Sequence, residues 1–280
     1  MHKIIAALDG LKFSKSTSQY AVELAKKTKS QLIGVFLDDF TYTGYKVYDL
    51  LARNGDLISA TQEKWDNKDM EARRSAALSF AATCADADVT HDVHHDRNIA
   101  IQELLHESIY ADLLVIDVRE TLSPYPEKVP TEFMRDLLSQ AQCPVLTVPH
   151  VYKPISKLIL LYDGEPSSVH AIKMFSYTLH DLKHLPVEVI TVQSDEHSLH
   201  VPDNKLMKEF MKRRFPKATY TILKGNPETE ITEYLKKQTD CPLVVLGAYH
   251  RGRVSRWFRA SMADVLMKEL TLPLFIAHNK

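Results

Sequence analysis

A stretch near the end of the chain has the residue types and order that bind phosphate. An apolar run, Leu243 to Leu246, is followed by Gly247, by a basic loop and then by Ser261, which the apolar spacing of the next residues predicts to be a helix N-cap. Free backbone N–H groups at a helix N-terminus, together with the helix dipole, attract anions. The order of strand, glycine loop and helix N-terminus therefore indicates a candidate phosphate site.

The loop itself is rich in cations, with Gly252 as a second source of backbone freedom. Its four arginines are Arg251, Arg253, Arg256 and Arg259. Guanidinium groups hold phosphate through paired hydrogen bonds. They would equally suit a solvated helix face, or pairing with acidic groups of another surface, so both interpretations remain open.

Histidines suggest a metal site that the rest of the pattern does not complete. His91, His94 and His95 lie on a predicted strand, where alternation puts His91 and His95 on one face and His94 on the other with Asp92 and Asp96. Zinc needs a closed tetrahedral set of ligands. We favour a polar edge strand here, and likewise no metal at His180 and His184.

Catalytic motifs are missing from the sequence. It has neither a nucleophile elbow of the form G-x-S-x-G nor a phosphate loop of the form G-x4-G-K-[ST]. Cys84, Cys143 and Cys241 fall in apolar surroundings, where a thiol is usually an inert small hydrophobe. We therefore expect no enzyme, or at most a slow ATPase.

Composition limits the class of protein. The chain has 280 residues, 45% of them hydrophobic and 25% charged, which suits two globular domains. Its net charge of -1 argues against a dedicated binder of nucleic acid or of membrane surfaces. The scattered cysteines form no disulfide framework, and the N-terminus does not resemble a signal peptide. We expect a cytoplasmic protein.

The elements that must position these residues follow βαβ grammar. The continuous apolar run Lys3–Leu8 predicts a strand buried on both faces, which Asp9-Gly10 ends, and Ser14 or Ser16 would cap the helix that follows. Further strands are predicted at 32–37, 89–93, 113–116 and 144–148, with helices at 63–84, 101–109 and 131–140. Residues 38–64 fit no element and could form a packing flap, an interface or a small apolar pocket.

The pattern then starts again. Lys157–Gly164 repeats the first strand and its Asp-Gly ending, Ser167 or Ser168 stands where the next helix should be capped, and Val187–Val192 repeats the second strand. Asn226 before Ile231, and the runs at 243–246 and 272–276, continue the correspondence. Two copies of one unit are therefore predicted, residues 1–152 and residues 153–280.

This arrangement resembles the universal stress protein family in its tandem two-domain form. The features that carry the resemblance are the strand-Asp-Gly start, the entry Gly225-Asn226-Pro227 to the third helix, and the glycine loop before Ser261. The resemblance implies an α/β fold of two flavodoxin-like, or adenine-nucleotide-hydrolase-like, domains, each a five-stranded parallel sheet flanked by helices. Many members bind ATP through a loop of the form G-x2-G-x9-G-[S/T].

The family's site can be carried over to the second copy residue by residue. Gly247 matches the first loop position and Ser261 the last, while His250 and Ala260 replace the other two glycines. The resemblance implies that Asp163, with Gly164, meets the ribose or adenine and that Val192 contacts adenine through its backbone. The residues proposed to bind the cofactor are Asp163, Gly164, Val192, Gly247, Arg251, Gly252 and Ser261.

The first copy departs further from the family pattern. Asp117 stands where its loop should begin, and no glycine occurs between Gly55 and Gly164. A loop that phosphate approaches closely usually needs glycine, and a carboxylate repels the anion. We expect the first phosphate site to be lost, and Asp9 to cap the turn that follows it.

Together these features predict a non-catalytic, cytoplasmic stress-response protein. ATP or another adenine nucleotide would be a regulatory ligand of the second domain. The alternative is a nucleotide-free interaction module whose arginine-rich loop docks an unknown protein partner. The two domains would form a pseudo-dimer within one chain, and two such chains could associate further as a homodimer.

Overall fold

The computed structural model describes residues 2–37, 58–96, 99–123, 125–193, 200–248 and 262–277. Contacts divide the chain into two compact units, Met1–Gln142 and Cys143–Lys280. Both have the α/β fold that the sequence predicts. Among the helices of the described ranges, none is both long and apolar enough to cross a membrane.

The first unit is a parallel sheet with strand order β3-β2-β1-β4. Every residue from Ile4 to Leu8 in its central strand is buried, which confirms the prediction of a strand covered on both faces. The elements are β1 (Lys3–Asp9), α1 (Lys15–Thr28), β2 (Gln31–Leu37), α2 (Ile58–Asp86), β3 (His91–Asp96), α3 (Ala100–Ser108), β4 (Leu113–Asp117) and α4 (Glu132–Gln140).

The second unit has strand order β5-β10-β9-β6-β7-β8. Its neighbouring strands are parallel except β5 and β10, which pair antiparallel. The elements are β5 (Val145–Val148), β6 (Lys157–Leu161), α5 (Pro166–Thr178), a 3-10 helix (His180–His184), β7 (Val187–Gln193), α6 (Asn204–Arg214), β8 (Thr219–Lys224), α7 (Pro227–Lys236), β9 (Pro242–Gly247), α8 (Met262–Glu269) and β10 (Leu274–Ala277).

The compact units divide earlier than the sequence repeat does. Strand β5 closes the first copy of the repeat, yet its Leu146 pairs with Phe275 of β10, so its contacts belong to the second unit. Each copy of the repeat contributes five strands in chain order. The first compact unit nevertheless contains four strands and the second contains six. The repeat boundary near residue 152 stays a prediction.

The cap of the first helix is one of the two serines that the sequence predicts. The Ser14 hydroxyl accepts a hydrogen bond from the Thr17 N–H at 3.2 Å, which decides between the two serines proposed for α1. Thr131 caps α4 in the same way, through the Met134 N–H at 3.2 Å. Both bonds satisfy an N–H group that the helix leaves without an intrahelical acceptor.

The cap proposed for α5 is wrong. The helix begins at Pro166, Glu165 is the N-cap residue, and Ser167 and Ser168 lie inside the first turn. Proline has no N–H to satisfy and its fixed φ suits the first helical position, so the helix starts earlier than serine capping predicts. The Ser168 hydroxyl instead donates to the Glu165 carbonyl at 2.9 Å.

Candidate functional site

Asp163 and Gly164 form the turn between β6 and α5. The Asp163 Oδ1 atom accepts a hydrogen bond from the Glu165 N–H at 3.0 Å, and its side chain is buried. Gly164 has φ +86°, in the left-handed region that favours glycine. The carboxylate therefore holds the turn and lies at the carboxyl end of the sheet, where open parallel sheets bind ligands.

Gly247 ends β9 directly under the start of α5. A Cβ added at Gly247 would lie 2.5 Å from the backbone carbon and oxygen of Ser167, a distance that no real side chain tolerates. The helix N-terminus can approach the strand this closely only because the residue is glycine. The packing of helix on strand thus explains Gly247, whether or not a phosphate also needs it.

Val192 completes a row across three adjacent strands. Strand β6 lies between β9 and β7 in parallel register, so Gly247, Asp163 and Val192 all stand at one edge of the sheet. The Ile190 carbonyl accepts from the Tyr162 N–H at 2.9 Å. Residues two apart in a strand point their backbone groups to the same side, so the Val192 N–H and C=O point past the end of β6.

Only part of the predicted site falls within the described residues. The structure brings together Asp163, Gly164, Val192 and Gly247. Arg251, Gly252 and Ser261 lie outside the described ranges, so their part in the site stays a prediction.

A segment that the sequence did not indicate lies against this edge. The Tyr162 hydroxyl donates to the Pro202 carbonyl at 3.1 Å, and a Cβ added at Gly164 would lie 2.7 Å from the Pro202 Cβ. The Gln193 side-chain amide donates to the His200 carbonyl at 3.2 Å. Residues 200–203 therefore cover the β6–β7 side of the crevice. The one signal in the sequence was Pro202, which no repeat match used.

Tyr162 is only 2% exposed in this corner. Burial, followed by the charges of Asp203 and Asp163, raises the pKa of its hydroxyl to about 12. At neutral pH the group is a hydrogen-bond donor and not a base.

The same edge of the first unit is acidic. The Asp9 Oδ1 atom accepts from the Leu11 N–H at 2.7 Å, which confirms its predicted role in the turn. The Asp117 Oδ1 atom accepts from the Arg119 N–H at 2.9 Å, and Oδ2 accepts from the Ser14 hydroxyl at 3.0 Å. Both carboxylates are thus engaged in local turns at the ends of β1 and β4.

Glu120 adds a third carboxyl group to this edge, 8% exposed. Its Oε1 atom accepts from the Thr121 and Leu122 N–H groups, each at 3.0 Å. Burial, then the charge of Asp9 and more weakly that of Asp117, outweigh these hydrogen bonds and raise the pKa of Glu120 to about 7. Three carboxyl groups make this edge unfavourable for an anion, while the loss of the first phosphate site stays a prediction.

The histidines of β3 alternate as predicted. His91 lies edge-on to Phe80 with ring centroids 6.2 Å apart, and His95 lies 5.6 Å from Phe36. His94 points the other way, with Nδ1 2.7 Å from Oε1 of Glu107. Across the described ranges, no group of three His, Cys, Asp or Glu side chains is close enough to hold a metal ion.

Comparisons with known proteins agree on the fold. No protein-family model and no curated protein sequence matches the chain. A universal stress protein from Archaeoglobus fulgidus matches with TM-score 0.69 and 12% identity, over 99% of this chain and 98% of that one. A candidate universal stress protein from Pseudomonas aeruginosa matches with TM-score 0.62 and 12% identity, over 99% and 93%.

A third solved structure, a functionally unknown protein from the same species, matches with TM-score 0.59 and 14% identity, over 99% and 92%. Each of these matches extends over nearly the full length of both chains. At such low identity the likeness concerns the fold and not the ligand. The chain therefore has the tandem fold of universal stress proteins, as the resemblance in its sequence implies.

Proposed function

We propose that this chain is a cytoplasmic stress-response protein whose second unit binds an adenine nucleotide as a regulatory ligand. The observation that carries the proposal is the direction of the Val192 backbone. Its N–H and C=O point beyond the end of β6, beside the Asp163 turn, where they could pair with the edge of an adenine. The sequence predicts that the two domains form a pseudo-dimer within one chain. We propose that this pseudo-dimer binds one nucleotide, in its second domain.

The two crevices differ in a way that favours one site. The first is lined by Asp9, Asp117 and Glu120, which oppose a phosphate. In the second, Asp163 can accept from a ribose hydroxyl, and the four loop arginines of the sequence can meet phosphate. A nucleotide should therefore bind to the second unit alone.

The nucleotide is proposed as a ligand and not a substrate. The sequence lacks the motifs of phosphoryl-transfer and acyl-transfer enzymes. The Tyr162 hydroxyl keeps its proton at neutral pH because its pKa is raised, so it cannot act as a general base. Asp163 is already engaged in its turn.

Calorimetry with ATP and with AMP tests this proposal on matched variants. Asp163→Asn keeps an oxygen acceptor for the Glu165 N–H but removes the charge, so we expect nucleotide affinity to fall about ten-fold. Asp9→Asn makes the same change at the equivalent turn of the first unit and should leave the affinity unchanged. If neither nucleotide gives heat or raises the melting temperature at millimolar concentration, the ligand is not an adenine nucleotide.

A nucleotide-free interaction module is the second candidate, and the packing of Pro202 on Gly164 favours it. That contact occupies part of the space beside Asp163. In that case the arginine loop would dock an unknown protein partner. Absence of nucleotide affinity in the wild type, Asp163→Asn and Asp9→Asn alike would favour this candidate.

A further inference from the structure

Helix α6 of the second unit has an unusual charge for its place in the fold. Its sequence, NKLMKEFMKRR, contains five lysine or arginine residues and one glutamate. The side packed on the sheet is apolar, because Met207 and Met211 are the buried residues. The cations therefore face away from the core, and Lys205, Lys208, Lys212 and Arg213 are all exposed.

The repeat provides an internal comparison for this helix. In the pairing with the preceding strand, Thr219 of β8 holds the position that Asp92 of β3 holds in the first unit. Counting back equally far from these two residues aligns Met207 and Met211 with Phe80 and Cys84 of α2. All four are buried. The core side of the two helices is thus kept while the solvent side changes, since no lysine or arginine occurs between Arg74 and Arg97 in the first copy. The positive surface is a property of the second unit and not of the fold.

Arg214 is held in place beside these cations. Its Nε atom donates to the Ser176 hydroxyl at 3.1 Å and its Nη2 atom to the Tyr177 hydroxyl at 3.2 Å. Its guanidinium carbon lies 4.2 Å from the centroid of the Phe210 ring and 5.5 Å from that of Tyr177. Two hydrogen bonds and two aromatic faces fix one side chain, so little conformational entropy remains to be lost when a partner binds.

Apolar groups are exposed in the same place. Leu206, one helical turn before the partly buried Phe210, is 66% exposed, and Tyr177, which contacts Arg214 as Phe210 does, is 53% exposed. Hot spots of protein interfaces are rich in arginine and tyrosine next to apolar groups, and the rim around them is polar. Arg214, Tyr177 and Leu206 match such a hot spot, and the exposed lysines of α6 match the rim.

We propose that the outer face of α6, together with Tyr177 of α5, is a docking surface for an acidic protein segment that also carries apolar side chains. Charge complementarity selects the acidic partner. The exposed Leu206 and Tyr177 select a partner that has apolar side chains as well as charge.

Two other anionic partners suit this surface less well. A membrane-surface helix inserts its apolar side into the lipid, but Met207 and Met211 of α6 are buried against the protein. A long nucleic acid follows extended positive potential, whereas the net charge of the whole chain is -1. A short acidic peptide needs only this one helix.

The interface is tested with a charge reversal on the intact chain. The variant Lys205→Glu, Lys212→Glu, Arg213→Glu changes exposed residues only and leaves Met207 and Met211 in place. The control variant Lys236→Glu, Lys237→Glu, Lys268→Glu makes the same change of net charge at exposed positions, the first two at the C-terminal end of α7 and the third in α8. Circular dichroism and melting curves must show both variants folded.

The probe is a fluorescein-labelled peptide of Glu and Asp residues that also contains Leu and Phe, measured by anisotropy at about 0.15 M salt. We expect it to bind the wild type, to bind the α6 variant at least about ten-fold more weakly, and to bind the control variant within about two-fold. Leu206→Ala and Arg214→Lys should each weaken binding several-fold, the second because lysine cannot keep the planar contacts.

Several results would overturn the proposal. One is equal binding by the α6 variant and the wild type, and another is equal binding of a peptide in which Leu and Phe are replaced by serine. Tighter binding of phosphatidylserine vesicles or of oligo(dT), lost in the α6 variant, would replace the protein partner by lipid or nucleic acid. Self-association in sedimentation that the α6 variant abolishes would identify a second copy as the occupant.

Discussion

At the scale of single residues, Glu120 is the group whose surroundings conflict most with its charge. Its carboxyl is buried beside Asp9 and Asp117, and its pKa rises from 4.5 to about 7. The unfolded chain releases this proton near pH 4.5 and the folded chain only near pH 7. Between those values the folded state binds more protons, so the stability that Glu120 contributes is present below pH 4.5 and is lost as the pH rises to 7.

Replacing this carboxyl should therefore stabilise the protein at alkaline pH. We expect Glu120→Gln to raise the free energy of unfolding by about 2 kcal/mol at pH 8 and by much less at pH 5, because the amide keeps an acceptor for the Thr121 and Leu122 N–H groups. Urea unfolding at the two pH values measures this difference. Glu71→Gln, at an exposed position of α2, is the control, and an equal effect of both changes would contradict the prediction.

Elements show why some of the structure follows from the sequence and some does not. Continuous apolar runs such as Lys3–Leu8 predict buried strands, because a strand covered on both faces needs apolar side chains on both faces and therefore at nearly every position. The start of α5 was missed because Pro166 competes with serine capping, and a local pattern cannot rank the two. The environment of Glu120 depends on Asp9, far away in sequence, so no local pattern could indicate it.

Each copy of the repeat has a cluster in which a lysine of the first strand pairs with a glutamate carboxylate, but the glutamate comes from a different kind of element in each copy. In the first unit the carboxylate stands on a helix, where Glu107 meets His94 and, at 3.1 Å, the Nζ atom of Lys3. In the second unit it stands on a strand, where Glu188 of β7 takes the place of Ile33 and meets Lys157 at 2.5 Å. The lysine keeps its place in both copies while its carboxylate partner changes element.

The Glu188 cluster is the more buried of the two and should matter more for stability. Tyr234 donates to Glu188 at 2.7 Å, and the Thr221 hydroxyl donates to the same oxygen. Burial alone would raise the pKa of Glu188, but the hydrogen bonds of Lys157, Thr221 and Tyr234 and the charge of Lys157 lower it overall. A lowered pKa gives stability that is present above the unfolded value near 4.5 and is lost as the pH falls through the folded value.

Glu188→Gln should accordingly destabilise the protein at pH 7 by about 2 kcal/mol, less than for a fully buried pair because Lys157 is partly exposed. The loss should shrink as the pH is lowered towards 3, where the wild type loses the same interaction. Chemical unfolding across this range gives the comparison. Glu233→Gln, an exposed position on α7, should change stability little, and a loss that does not depend on pH would be evidence against the linkage.

At the scale of the whole molecule, strand β5 decides where one unit ends. The repeat assigns residues 145–148 to the first copy, but their register partners are Thr147 with Leu274, Leu146 with Phe275 and Val145 with Ile276. All four residues of β10 are buried. Without β5, this strand would present unpaired backbone groups and apolar side chains at an edge of the sheet.

Two fragments of the second unit separate the boundary of contacts from the boundary of the repeat. Residues 143–280 keep β5 against β10, and residues 153–280 remove it. We expect the longer fragment to unfold cooperatively at a higher denaturant midpoint, and the shorter one to be less stable and to self-associate through the exposed edge of β10. Urea titration and sedimentation measure both properties. Equal stability of the two fragments would mean that β5 is not part of the second unit's cooperative core, and that the repeat boundary near 152 is also the folding boundary.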